Sequence, residues 1–260
     1  MYTPIIKTPL RYLIWVALPL LFVACDADDD GNAPLPAPVP AALRVTFTHT
    51  WNGTPLNAGT RYTLDNGDEV ALSGAAILLD EFALAGISTE LNQYGFIVKA
   101  FDAPNAVYTL ADTAGPGTGS QLSFFVGPDS ITNHQDPLAL AQDDPLNDPS
   151  MHWGWNPAAG YKFLVAEGNV FSNAGADTTY FGYQFATDAA RTAVTLNEDI
   201  AVLLNGNSDN EVVITVAVDW AKFFAGVDVK TDNDIHGFGN SASTKIQGNF
   251  SSAFSIGSVN

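Results

Sequence analysis

The chain has 260 residues and carries 28 acidic against 10 basic side chains, for a formal net charge of −18. Such a surface repels phosphate backbones, which excludes nucleic acid as a partner and suits cationic partners or salt-rich surroundings. A single cysteine excludes an internal disulfide and any multi-thiolate metal centre.

That cysteine closes the first segment. Lys7 and Arg11 precede an apolar run over residues 12–24, which ends in Phe22-Val23-Ala24-Cys25. A charged stretch, a short apolar run and a small residue before the cut form a secretory signal. The run falls short of the roughly twenty residues that span a bilayer. Residues 1–24 therefore read as a lipoprotein signal peptide and Cys25 as the lipidated N-terminus, the plainer alternative being a simple secretory signal with an accidental cysteine. Residues 25–40 (CDADDDGNAPLPAPVP) are acidic and then Pro/Ala-rich, an extended tether. Loss of the leader, which holds Lys7 and Arg11 and no acid, takes the net charge from −18 to −20. The expected location is a bacterial cell envelope, periplasmic or on the outer-membrane surface, anchored in the lipid bilayer through Cys25.

Residues 41–260 are apolar enough for one all-β domain. The clearest strand comes first: Leu43, Val45, Phe47, His49 and Trp51 alternate with Arg44, Thr46, Thr48 and Thr50. A period of two sends His49 and Trp51 to the face of the core hydrophobics. After the Asn52-Gly53 turn, strands are expected at 70–79, 95–101, 107–110, 122–126, 161–167, 179–185, 192–196, 200–204 and 212–218. Gly, Asn, Asp and Pro cluster between them, a pattern of antiparallel β-sandwiches. Residues 127–160 form a long polar loop of the functional kind. Asp219 is placed to cap a short C-terminal helix over Trp220-Ala221-Lys222-Phe223. The tail beyond is polar and Gly/Ser-rich.

Strong catalytic and metal motifs are absent. There is no H-E-x-x-H, no C-x-x-C, no EF-hand loop and no G-x-S-x-G set. Glu81 and Glu167 fall in strands but have only their existence to recommend them as a carboxylate pair. Asp143, Asp144, Asn147 and Asp148, like Asp228, Asp232 and Asp234, read as solvated loop carboxylates. The domain is expected to bind rather than to catalyse. Its four histidines, His49, His134, His152 and His236, are the candidate metal ligands. An inward imidazole such as His49 needs a metal or a hydrogen-bond partner, and a backbone carbonyl is the commoner answer. The densest feature is Met151-His152-Trp153-Gly154-Trp155, followed by Gly160-Tyr161-Lys162-Phe163.

At this point the chain resembles the MbnP-like copper-binding family, which includes the MopE and CorA proteins of methane oxidisers. The likeness covers roughly residues 43–255. It is carried by Phe47-x-His49 with Gly53-x-x-Leu56, by Leu122-Ser123-Phe124-Phe125-Val126-Gly127-Pro128 with Asn133-His134, and by Pro145-Leu146. Met151-x-Trp153-x-Trp155, Gly160-Tyr161-Lys162-Phe163 and Val218-Asp219-x-x-Lys222-Phe223-Phe224 complete it. The resemblance implies a β-sandwich that binds copper. In some members a tryptophan is oxidised to kynurenine by a di-haem cytochrome peroxidase related to MauG. An indole N–H is a donor only, whereas the opened ring offers an aromatic amine and a ketone as ligand atoms, with imidazoles completing the site. Carried over, Trp153 and Trp155 match the family's tryptophans as candidate kynurenine precursors, and His49 and His134 match recurring histidines. His152 falls where relatives are often aromatic, and His236 aligns loosely. Cysteines of some members are missing, Pro157-Ala158-Ala159 is extra, and Tyr180-Phe181-Gly182 stands where many relatives have a histidine. A metal-free adhesion or scaffold sandwich and a glycan-binding surface lipoprotein, with the loop tryptophans as a sugar platform, are the competing readings.

Overall fold

The computed structural model describes residues 41–92, 95–115, 118–172, 177–197, 202–203 and 211–260. The expected signal peptide, Cys25 and tether lie outside these residues, as does most of the strand expected at 200–204.

The domain is all-β and sandwich-like, with few and short helices. One sheet is built around the opening strand, Ala41–Trp51, flanked by Glu211–Asp219 and by Val107–Ala114. Its burial alternates residue by residue, with Leu43, Val45, Phe47, His49 and Trp51 all inward. The second sheet runs Thr192–Leu196, Gln121–Val126, Glu69–Ala85, Lys162–Phe171, Thr178–Ala186 and Asp234–His236. Apolar faces of both sheets join in one core that includes Phe82, Phe124, Phe163, Phe181, Phe185 and Trp220. The sequence pattern predicts an antiparallel sandwich, and most pairings are antiparallel, but among the described residues two are parallel: Ala41–Trp51 with Glu211–Asp219, and Thr178–Ala186 with Asp234–His236. Alternation fixes which side chains face inward and is blind to strand direction.

Strand Glu69–Ala85 is the longest element, and a register shift interrupts its pairing with Gln121–Val126 between Asp80 and Ala83. Glu81 sits at φ 50° in this bulge, a left-handed conformation that a non-glycine residue adopts only when its surroundings enforce it.

The loop over 127–160 is ordered by aspartate caps. Asp129 accepts from the backbone N–H groups of Ile131 and Thr132 and opens the turn Ser130–Asn133. Asp136 and Asp148 cap two short 3-10 turns in the same way. Asp219 caps Trp220–Phe223 as expected. The polar tail instead holds a thirteen-residue helix, Ser241–Ala253, capped by Asn240 and burying Ala242, Ile246, Phe250 and Ala253. Among the described residues no helix is long and apolar enough to cross a membrane.

Candidate metal centre

The four histidines occupy three settings. His49, at the inward end of the opening strand, accepts a hydrogen bond at Nδ1 from the Trp220 indole, 3.0 Å away. Burial pushes its pKa down from 6.5 to about 4, so the ring is neutral. A neutral imidazole carries one N–H and one lone pair. With the lone pair at Nδ1 engaged, the proton sits on the buried Nε2, which has no acceptor among the described residues. This tautomer offers a metal nothing until the Trp220 bond is broken. The partner of the inward imidazole is thus an indole, not the backbone carbonyl that sequence reasoning favoured.

His134 and His152 come together. Both line one cavity of about 350 Å³ with Gln135, Asp136, Pro149 and Gly154. His134 follows the turn capped by Asp129, and its Nε2 lies 3.4 Å from Asp188 Oδ1. Asp188 is itself held by Ser130 Oγ at 2.6 Å and Asn133 Nδ2 at 2.7 Å. These bonds keep its carboxyl below the usual range. Asn133 is fully buried and also accepts the Tyr161 backbone N–H at 2.8 Å, so one amide ties the His134 turn to the strand entry at Gly160-Tyr161. His152 pairs with Tyr161 in an isolated bridge and packs edge-on against its ring. Burial lowers the His152 pKa, and the neighbouring His134 adds to the shift against the opposing pull of Asp136. Its Nε2 is buried with no hydrogen-bond partner among the described residues.

His236 stands beside the indoles. Its ring lies 6.1 Å from that of Trp153, and its Nδ1 contacts Asp234 at 2.9 Å, leaving Nε2 as the free ring nitrogen. Trp153 is buried and stacks at 5.7 Å on Trp155, which is 78 % exposed. The Trp153 indole donates to Gln184 Oε1 at 3.0 Å, and Gln184 in turn donates to Glu167 at 2.7 Å. Glu167 is thus tied into this chain, while Glu81 faces Arg191 at 2.7 Å. The loop carboxylates are spent on structure: Asp144 holds the Leu146 N–H, Asp148 pairs with Lys99 at 2.6 Å, and Asp228 caps Thr231.

Asp188 and Gln184 escaped sequence reasoning, and Asn133 entered it only as a landmark beside His134. They carry no spacing that marks them as partners of the histidines and indoles. Among the described residues no trio of His, Asp or Glu donors that includes a histidine converges within 4.8 Å. The structure thus offers two imidazoles, His134 and His152, on one cavity and a third, His236, beside the indoles, with no closed four-ligand cage among the described residues.

A family model described as MbnP matches residues 40–238. Among solved structures, MbnP from Methylosinus trichosporium is similar, with a TM-score of 0.45 and 16% identity, covering 71% of this chain and 77% of that one. No curated protein matches the chain.

Proposed function

Since the chain belongs to the MbnP family, we propose that it is a copper-binding protein of the cell envelope, held to the bilayer through Cys25, and a binder rather than an enzyme. The observation that carries this reading is that His134 and His152 line one cavity, and that the Nε2 of the neutral His152 is buried without a hydrogen-bond partner among the described residues. A neutral imidazole nitrogen removed from water and left without a partner is costly unless a ligand takes it up. His134, oriented by the Asp188 carboxylate, supplies the second nitrogen in the manner of a carboxylate–histidine pair. His236, oriented likewise by Asp234, stands on the indole side of the same loop.

The tryptophan pair supports the second half of the reading. Trp155 presents its ring to solvent, where a di-haem partner can reach it, while Trp153 stacks beneath it and is buried beside His236. Removal of electrons from the exposed ring is thereby communicated to the buried one. Trp153 is the ring that, opened to kynurenine, would offer an amine and a ketone beside His236.

Copper titration of the purified domain tests the ligand set. His152→Ala and His134→Ala are each expected to weaken affinity by roughly tenfold or more, whereas His49→Asn is expected to leave it within about twofold. Retention of full affinity in both of the first two variants would overturn the assignment. Intact mass tests the modification. Protein from the native source should gain one oxygen and lose one carbon at Trp153, and protein made without the partner should not. The glycan-platform reading draws on the exposure of Trp155 alone. It requires sugar binding that survives removal of metal.

A further inference from the structure

A second group of donors lies away from the histidines. In the bulge of strand Glu69–Ala85, Asp80 and Glu81 meet Asp129, with one carboxylate oxygen from each lying within 4.8 Å of the others. Asp80 is only 2 % exposed, and its Oδ1 has no hydrogen-bond partner among the described residues. A buried carboxylate oxygen without a donor carries a full desolvation penalty. The neighbouring cation relieves it only in part: Arg191, over the Phe125 ring at 3.5 Å, pairs with Glu81 at 2.7 Å rather than with Asp80 Oδ1. Three carboxylates against one guanidinium leave two negative charges uncompensated.

We propose that Asp80, Glu81 and Asp129 form a binding site for a divalent, oxygen-seeking cation of the Ca2+ type, separate from the histidine cavity. All-carboxylate donors favour a hard ion over copper or zinc. At Ca–O distances of about 2.3–2.6 Å, oxygens up to about 5 Å apart share one ion, which this trio satisfies. The bulge accounts for the placement, since it turns Asp80 out of an apolar run and holds Glu81 in a left-handed conformation beside it. Burial, with the neighbouring Glu81 and Asp129 charges, raises the Asp80 pKa to about 6. Because Asp129 caps the turn that ends at His134, an ion here would brace the loop that carries the histidine cavity.

The test is calorimetric titration of the chelator-treated, copper-free full chain with CaCl2, with MgCl2 in parallel, together with thermal melting. One Ca2+ per chain and a melting midpoint that climbs with Ca2+ concentration are expected. Asp80→Asn and Asp129→Asn are each expected to weaken Ca2+ binding at least about tenfold while leaving the acidic surface intact. Saturable binding unaltered in both variants would mean that diffuse surface charge holds the ion and would overturn the proposal, as would an absence of saturable binding in the wild type. Should Asp80→Asn fail to fold, Glu81→Gln, on the half-buried partner, gives the same readout. Copper affinity is recorded separately, so failure of this site and failure of the histidine site are distinguishable.

Discussion

Gly160→Ala is expected to destabilise the domain by roughly 3–5 kcal/mol and to weaken copper binding with it. Gly160 sits at φ 74°, and a Cβ there would stand 2.3 Å from Asn133 Oδ1 and 2.4 Å from the Asn133 carbonyl oxygen. Asn133 cannot retreat, because it is fully buried and bonded on both sides, to Tyr161 N and to Asp188. The clash adds to the cost of a left-handed non-glycine residue. It moves the amide that locates Asp188 and, through it, His134. Urea unfolding of the variant checks the stability, and a loss below about 1 kcal/mol would contradict the packing described here.

The His49–Trp220 pair gives the second large effect, one that depends on pH. Burial depresses the folded-state pKa of His49 from 6.5 to about 4. Between those values the unfolded chain binds a proton that the folded chain refuses, so stability rises with pH across the window and is lost as pH falls. Fully developed, the difference is roughly 3 kcal/mol. His49→Asn retains an acceptor for the Trp220 indole but cannot titrate. The stability advantage of wild type over this variant should therefore shrink by roughly 3 kcal/mol between pH 7 and pH 4, other titrating groups cancelling in the comparison. Parallel profiles for the two proteins would show that His49 already carries a proton or lies open to water.

These effects mark where the sequence was legible. The opening strand announced itself, because strict alternation from Leu43 to Trp51 has one physical solution, a half-buried strand with His49 inward. The cap at Asp219 was equally plain. Helix Ser241–Ala253 went unseen although Ala242, Ile246 and Phe250 recur every fourth residue behind a capping Asn240. Ser and Gly between them mask the stripe and lower helix propensity, so tertiary packing had to decide. The histidine cavity was half visible. Proximity of His152 to Trp153 is a fact of sequence, whereas the meeting of His134 with His152 depends on how a chain of aspartate-capped turns folds back on itself. The meeting of Asp80 and Glu81 with Asp129 was hidden for a different reason. A carboxylate pair inside Ala-Ala-Ile-Leu-Leu-Asp-Glu-Phe-Ala-Leu reads as a strand end, and a bulge leaves no periodic trace.

The parallel pairing of the first strand with Glu211–Asp219 has a kinetic corollary. Arg44 meets Glu211, 167 positions further along the chain, so the central ribbon of that sheet stays incomplete until the strand at 211–219 has been made. Closing so large a loop is entropically slow, and the unfinished edge remains open meanwhile. A polypeptide built this way stays pliable during synthesis and sets only once that late strand is in place.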